Sequence, residues 1–387
     1  MRVLDFGRYI AGPYCAALLA DHGADVIRIE RIEGGEDRNM PRLAPSGEGG
    51  LYMQVNRNKR GMTLDLASAE GRAIVRQLAS GADVVVANLP PPTLRQLGLD
   101  YPTLSKLNPR LVLTVASAYG PVGPYANRPG FDSVGQAMSG AMFMSGMPDA
   151  PARAGVNYVD FTTAQACAMG TLAALWARER SGKGQLVEGS LLRSALTLSN
   201  SLLIEQALTR RNRVPQGNRG YLTAPTDLFR TRDGHIVVQT IGQGMFERWC
   251  RMIGRPEMLD DPCFAGDELR GQHAHLISAA MQHWCADRSR DEVLAALAQA
   301  KLPAAPVLDL QQALDDPHIR ASGLLKQQVF PGMGQTFPLA PHPVEMSDAE
   351  LGMRRPAPAL GQHTDDILAE LGYAAAAIAD LRRRAVV

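Results

Sequence analysis

Residues 1–30 read MRVLDFGRYIAGPYCAALLADHGADVIRIE, and this stretch decides the fold class. The short apolar run at residues 3–6 is typical of a buried strand, the pattern at 15–21 is helical, and residues 25–29 form a second strand-like run. Strand, helix and strand in this order make a βαβ unit, whose two strands lie parallel in one sheet.

The same alternation continues to residue 116. Helical patterns at residues 71–78 and 93–97 alternate with strand-like runs at 83–87 and 110–116. A long helix is expected at residues 161–180, where the following Ser-Gly-Lys-Gly sequence at 181–184 provides a glycine stop. Repeated strands and crossover helices predict a parallel, doubly wound, Rossmann-like α/β sheet.

A change in composition suggests a second domain. Arg, Asn, Gly and Pro crowd together at residues 210–225, as in a linker or a loop, and a hairpin pattern with Asp233-Gly234 as its turn follows. We therefore predict that residues 1–200 form the first part of a large domain, 201–224 a linker, and 225–305 a smaller α+β domain. Residues 306–387 are predicted to return to the large domain.

Charge and cysteine content restrict the classes of partner. The 387 residues carry 40 Lys and Arg against 39 Asp and Glu, so the summed charge attracts neither nucleic acid nor an anionic membrane. There is no apolar run of ~18 residues that could cross a bilayer and no secretory leader pattern. The five cysteines are scattered and form no cluster with metal-ligand spacing, so we expect no metal and a reduced, cytoplasmic setting.

Short segments spread over nearly the whole chain resemble, in their order, the family III CoA transferases, also called the CaiB/BaiF or formyl-CoA transferase-like group. Each segment alone is weak, but the ordered set is specific. The segments are VLDFGRYIAGP at 3–13, GADVIRIER at 23–31, NKRGMTLDL at 58–66, ADVVVAN at 82–88, RPGFD at 128–132, SGKGQ at 181–185 and LGQHTD at 360–365.

This resemblance implies an enzyme that moves CoA from an acyl-CoA thioester to a free carboxylic acid through aspartyl anhydride and aspartyl-CoA intermediates. Coenzyme A and acyl-CoA would be substrates, and no permanently bound cofactor is implied. The resemblance also implies a large domain built from both ends of the chain and a homodimer of two interlocked subunits.

Asp160 lies where the long helix is expected to begin. Judged by sequence alone, it suits an N-cap, because aspartate readily accepts hydrogen bonds from the first N–H groups of a helix. The resemblance implies instead that Asp160 is the nucleophile. Because a helix N-terminus favours an anion, we expect this carboxylate to be ionised at neutral pH.

Further positions are assigned by the resemblance to CoA contacts. These are Ile10, Ala11, Arg31, Leu64, Asp65 and Asn88. Relatives often carry a phosphate-facing arginine where this chain has Gln96, so either Arg95 replaces it or the contact is absent. Asp132 matches an acidic residue near the family's active site, although it would equally suit a cap for the helix that follows.

Three alternatives remain. A 2-methylacyl-CoA racemase would resemble this chain, but its histidine base would fall at Phe131, whose ring cannot accept a proton. In a non-catalytic CoA-binding protein Asp160 would serve only as a cap. An NAD-dependent dehydrogenase is disfavoured, because the turn after the first strand lacks G-x-G-x-x-G.

Overall fold

The computed structural model describes residues 1–349 and 351–387, which divide into two compact units. The large unit comprises residues 1–139, 154–208 and 323–387. The small unit comprises residues 140–153 and 209–322. The sequence predicted a linker at residues 201–224 and a return of the chain to the large domain at residue 306. These limits stay a prediction.

A six-stranded sheet forms the centre of the large unit. Its strand order is β3-β2-β1-β4-β5-β8, and all neighbouring strands are parallel. The predicted parallel α/β sheet is therefore confirmed. The strands are β1 (Arg2–Asp5), β2 (Asp25–Glu30), β3 (Lys59–Thr63), β4 (Val84–Ala87), β5 (Val112–Ser117) and β8 (Leu186–Ser190).

Helices cover both faces of this sheet. The large unit also contains a short 3₁₀ helix at Glu36–Asn39 and a separate hairpin of strands β12 (Lys326–Val329) and β13 (Thr336–Leu339). The α-helices of the large unit are α1 (Ala11–Asp21), α2 (Gly50–Val55), α3 (Ala69–Ser80), α4 (Pro91–Leu97), α5 (Tyr101–Leu107), α6 (Asp132–Met138), α8 (Tyr158–Ser181), α9 (Leu191–Thr209), α16 (Thr364–Glu370) and α17 (Ala375–Arg383).

The alternation of side chains along β4 creates two separate cores. Val84 and Val86 point to the face covered by α1, α8 and α9, whereas Val85 and Ala87 point to the face covered by α3, α5, α16 and α17. All four side chains are buried, as expected for a central strand of a doubly wound sheet. Every residue of α1 is buried as well, so this helix runs through the interior.

The long helix α8 starts earlier than the sequence pattern indicated. It begins at Tyr158 rather than at residue 161, and its end at the left-handed Gly182 (φ 69°) confirms the predicted glycine stop. Asn157 is the N-cap but makes no side-chain capping bond. Asp160 is therefore the third helical residue, and the expectation that it might be the N-cap is wrong.

The small unit contains antiparallel strands around its own core. Strands β9 (Thr226–Thr231), β10 (Gly234–Gln239) and β11 (Ala304–Pro306) form one sheet in the order β11-β10-β9, and the predicted Asp233-Gly234 hairpin is confirmed. Trp249 is fully buried in the hydrophobic core of this unit. The remaining elements are β6 (Gly146–Met147), β7 (Ala150–Pro151), α7 (Ala141–Met144), α10 (Gln243–Met252), α11 (Asp267–Gln272), α12 (Ala274–Cys285), α13 (Arg290–Gln299), α14 (Leu310–Asp315), α15 (Pro317–Ala321) and two 3₁₀ helices at Pro256–Leu259 and Pro262–Phe264.

Over residues 1–349 and 351–387, no helix is both long enough and apolar enough to cross a membrane.

Candidate active site

The strand order of the large sheet reverses between β1 and β4, and ligands of open α/β sheets bind at the carboxyl ends of the strands at such a point. The loops that follow these two strands are joined there. The backbone N–H of Arg8 donates to Oδ1 of Asn88 at 2.7 Å, and Nδ2 of Asn88 donates to the carbonyl of Arg8 at 2.7 Å. Asn88 thus holds the two loops together in a fixed position.

A cavity of about 330 Å³ opens at this point. Its walls come from the loops after β1, β4 and β5 and from the first turns of α8 and α9. Of the residues predicted for the site, Ala11, Asn88 and Asp160 line it together. The other lining residues are Arg8, Tyr9, Leu89, Pro90, Pro91, Ala116, Ser117, Ala118, Ala126, Asn127, Arg128, Pro129, Gly130, Phe131 and Leu191.

Asp132 supplies the cap that Asn157 does not provide. Its Oδ2 accepts hydrogen bonds from the backbone N–H groups of Val159 at 2.8 Å and Asp160 at 3.0 Å. Asp132 is the first residue of α6 and is 3% exposed, and it makes no side-chain capping bond to its own helix. The expectation that Asp132 caps the helix it opens is wrong, because its carboxylate satisfies the N-terminus of α8 instead.

The environment of Asp160 disfavours its charge. Only 9% of the residue is exposed, and burial together with the neighbouring charge of Asp132 raises the pKa of Asp160 to about 7. A backbone hydrogen bond from Asp132 lowers the pKa by a smaller amount. The expected full ionisation at neutral pH is therefore wrong: desolvation and like charge outweigh the favourable helix end.

Aromatic and cationic side chains that the sequence analysis did not select also border the cavity. Tyr9 has a left-handed backbone (φ 60°), and its ring meets that of Phe131 edge-on at 5.3 Å. Phe131 is 58% exposed. The guanidinium of Arg128 lies 4.0 Å from the ring centre of Tyr125. The positive φ of Tyr9, adopted by a residue other than glycine, could not be recognised from sequence.

A second cavity of about 170 Å³ adjoins the first, and both are lined by Arg8, Leu89 and Pro90. Arg31 lines this second cavity and pairs with Glu36 at 3.0 Å, with both side chains about half exposed. Arg8 approaches the same glutamate less closely, at 3.9 Å. Arg31 therefore lies in the second cavity, whereas the carboxyl group of Asp160 lies in the first.

The remaining predicted contacts lie outside both cavity linings, as far as the described residues define them. Leu64 is fully buried in the core, Asp65 is held beside the C-terminal segment by its N–H bond to the carbonyl of Val386, and Ile10 packs under α1. Arg95 and Gln96 are exposed on α4. Thr93 and Leu97 of the same helix line the second cavity instead.

A buried ion network supports the loop after β1. Arg28 donates to the carbonyl of Gly7 at 2.8 Å and to Oδ2 of Asp37 at 2.8 Å, and Asp37 accepts the N–H of Tyr9 at 3.2 Å. Lys59 is fully buried and donates to Asp5 at 2.7 Å, although burial lowers its pKa to about 8. Breaking such a network would leave buried charges unpaired, so it holds the loop rigidly.

No group of three or more His, Cys, Asp or Glu side chains is arranged to hold a metal ion in the described part of the chain.

Comparison with known proteins gives one consistent result. The sequence profile of CoA-transferase family III matches residues 1–364. Succinyl-CoA--D-citramalate CoA-transferase of Chloroflexus aurantiacus is 34% identical over 374 residues, covering 96% of this chain and 93% of the relative. Succinate--glutarate CoA-transferase of Agrobacterium fabrum is 33% identical and covers 96% and 94% of the two chains.

Solved structures agree with this result. A CaiB/BaiF family protein from Brucella suis matches with a TM-score of 0.84 and 30% identity, covering 96% of this chain and 98% of that protein.

Proposed function

The chain belongs to CoA-transferase family III and transfers CoA from an acyl-CoA thioester to a free carboxylic acid, and we propose that it does so through covalent intermediates on Asp160. The observation that carries this proposal is the position of Asp160. Its buried carboxyl group borders the cavity at the switch point of the sheet, where the loops after β1 and β4 meet.

The proposed reaction has two covalent stages. A carboxylate oxygen of Asp160 attacks the thioester carbonyl, the C–S bond breaks, and a mixed anhydride and CoA thiolate result. The thiolate then attacks the Asp160 carbonyl carbon, releasing the donor acid and leaving an aspartyl-CoA thioester. An acceptor carboxylate reverses both steps: it forms a new anhydride with Asp160, from which the thiolate takes the new acyl group and frees the aspartate.

Burial and charge repulsion favour these intermediates. Asp160 is buried and lies beside Asp132, and its burial, together with the charge of Asp132, raises its pKa to about 7. An anhydride or thioester of Asp160 carries no charge, so its formation relieves both the desolvation and the repulsion. The geometry that makes ionisation costly therefore makes acylation easier.

The CoA-binding positions remain part of the proposal. Ala11 and Asn88 line the first cavity and Arg31 the second, which supports a path for the pantetheine arm past Asn88 and for the phosphates toward Arg31. We retain Ile10, Leu64, Asp65, Arg95 and Gln96 as contacts inferred by family resemblance, with Asp132 as support for Asp160.

For the acids, the names of the relatives suggest dicarboxylates. Both curated relatives named above carry succinate or succinyl-CoA in their names, one with D-citramalate and one with glutarate. We propose succinyl-CoA as a donor and a small dicarboxylate as the acceptor.

We also propose a homodimer of interlocked subunits. The long helices α8 and α9 expose large apolar side chains, with Met169 and Trp176 each 70% exposed and Leu208 81% exposed. Exposed apolar surface of this extent on adjoining helices is typical of an interface. A cytoplasmic location belongs to the same proposal: all five cysteines are free and four are buried, as in proteins of reducing compartments.

In the experiment, the protein is incubated with succinyl-CoA and a panel of dicarboxylic acids, and the acyl-CoA products and the intact protein mass are measured. Part of the sample is treated with hydroxylamine and digested. We expect a new acyl-CoA, and a hydroxamate on the Asp160 peptide, because both the anhydride and the thioester react with hydroxylamine. Asp160→Asn is the matched control and should give neither product. Exchange of the substrate α-proton with deuterium, without transfer, would favour the racemase; tight CoA binding without either reaction would favour a non-catalytic binder.

A further inference from the structure

Gln136 lies directly behind the pair of aspartates and does not line the cavity. It is 1% exposed and stands on α6, four residues after Asp132. Its Nε2 donates to Oδ1 of Asp132 at 2.5 Å, and its Oε1 accepts the backbone N–H of Ala154 at 3.0 Å. The amide therefore joins Asp132 to the point where the chain re-enters the large unit.

The backbone partner determines which way the amide points. The N–H of Ala154 can only donate, so it requires the oxygen of Gln136, and the NH₂ group must face Asp132. Asp132 consequently meets donors on both oxygens: Gln136 on Oδ1, and the N–H groups of Val159 and Asp160 on Oδ2. Three donors and no acceptor surround this carboxylate among the hydrogen bonds of the described residues, so both of its oxygens are held in place.

We propose that Gln136 is a positioning residue, which holds the carboxylate of Asp132 against the first turn of α8, directly beside Asp160, and so keeps the pair in the geometry from which Asp160 is acylated. This inference rests on the proposed role of Asp160. It extends that role to a residue that touches neither CoA nor acid. The energetic benefit arises because acylation of Asp160 removes its charge from the neighbourhood of Asp132, and this relief is largest when Asp132 is held close to Asp160.

The charged and titratable groups around the pair are few. Asp160 and Tyr158 of α8 lie near Asp132 of α6, and the pKa of Tyr158 is raised by burial first and by the charge of Asp132 second. Arg8 and Arg128 lie in the wall of the same cavity as Asp160. A carboxyl group introduced at position 136 would meet Asp132 first.

The test is to measure kcat/KM as a function of pH for Gln136→Glu, for the wild type and for Gln136→Met. A protonated glutamate can reproduce both bonds of the amide, since its O–H donates to Asp132 and its carbonyl accepts from Ala154. An ionised glutamate cannot donate and repels Asp132. We therefore expect the ratio of kcat/KM for Gln136→Glu to that of wild type to fall as pH rises, approaching about tenfold per pH unit once the glutamate is ionised.

Gln136→Met has nearly the same length without donor or acceptor. Its kcat should fall at least about tenfold at every pH, whereas KM for acyl-CoA should change less than about twofold, because position 136 does not line the cavity. A ratio for Gln136→Glu that stays constant from acid to alkaline pH would overturn the proposal and leave Gln136 as packing alone.

A second variant distinguishes the proposed loss of activity from unfolding of Gln136→Glu at high pH. In the double variant Asp132→Asn, Gln136→Glu, an ionised glutamate gains a donor from the asparagine amide, so the alkaline loss of activity should disappear. An alkaline loss that persists in the double variant would contradict the proposal. Failure of the proposed function would be seen separately. In a protein unchanged at position 136, Asp160→Asn would then retain transferase activity, whatever the variants of Gln136 do.

Discussion

Asp132 holds the main chain of Asp160: its Oδ2 accepts the backbone N–H of Asp160 at 3.0 Å and that of Val159 at 2.8 Å. Asp132 lies in the first turn of α6 and Asp160 in the first turn of α8. This contact places two acidic residues next to each other in a buried position, and the first two of the following predictions depend on it.

The first prediction concerns the pH dependence of activity. Attack requires ionised Asp160, whose pKa is raised to about 7 by burial and by Asp132, so kcat/KM should rise with pH through about 7 and then level off. Asp132→Asn keeps an oxygen to accept the two N–H groups but removes the charge. The acid limb should therefore move to lower pH in this variant, and an unmoved limb would contradict the electrostatic account.

The second prediction concerns stability. The folded state binds the proton of Asp160 more tightly than the unfolded chain, where the pKa has its ordinary value of 3.8 rather than about 7. Ionisation therefore costs the wild type stability as pH rises from about 4 to about 7. Asp160→Asn should raise the free energy of unfolding at pH 8 by on the order of 3 kcal/mol and by little at pH 4. Urea denaturation at both pH values measures this difference, and an equal effect at the two would refute it.

The third prediction concerns the joined loops. Asn88→Ala removes both bonds to the backbone of Arg8, which should cost about 1 to 3 kcal/mol of stability and raise KM for acyl-CoA more than it lowers kcat. Asn108→Ala is a matched control, because that side chain also donates to a backbone carbonyl, that of Ala82, but does not line either cavity. Equal effects of the two variants on KM would argue against a role of Asn88 in binding.

The fourth prediction separates two arginines that the sequence left as candidates. Arg31 lines the second cavity, whereas Arg95 is exposed on α4 outside both cavity linings. Arg31→Gln should raise KM for acyl-CoA by about tenfold and weaken its dependence on salt, since a charged contact to phosphate is worth about 1.5 kcal/mol. Arg95→Gln should raise KM by a smaller factor, because Arg95 lies outside both cavity linings. The reverse order would identify Arg95 as the replacement for the arginine missing at Gln96.

The fifth prediction addresses the apolar surface. Trp176 is 70% exposed on α8, and Met169 on the same helix is equally exposed. If this surface is buried in a homodimer, Trp176→Arg should convert the dimer into a smaller or aggregating species, as measured by light scattering after size exclusion. Leu310→Arg is a control, since that leucine belongs to the small unit and is 88% exposed. A dimer undisturbed by Trp176→Arg would place the interface elsewhere.

Local patterns predicted those parts of the fold that depend on neighbours along the chain. The β1–α1–β2 unit, the glycine end of α8 and the Asp233-Gly234 hairpin all follow from residues a few positions apart. The start of α8 was misplaced by three residues, because its N-terminus is capped by Asp132, which is 28 residues away from Asp160. A cap supplied across the fold leaves no signal in the helix sequence.

The electrostatics of the site were predicted less well for a related reason. The helix end near Asp160 is visible in sequence and favours a charged carboxylate. Burial and the approach of Asp132 are tertiary effects, and they have the larger influence on the pKa. Gln136 was overlooked for the same reason, since its importance lies in two bonds to residues in other parts of the chain.

The exposed ring of Phe131 and the buried carboxylate of Asp132 are adjacent in sequence, yet they face opposite environments. The two aspartates are thus positioned by helix ends and main-chain bonds, while Phe131 and Arg128 of the cavity wall pack against the side chains of Tyr9 and Tyr125. Such a separation leaves the choice of acid free to change during evolution or by engineering. A library at positions 128 and 131 should yield enzymes with new acceptor acids and unchanged chemistry.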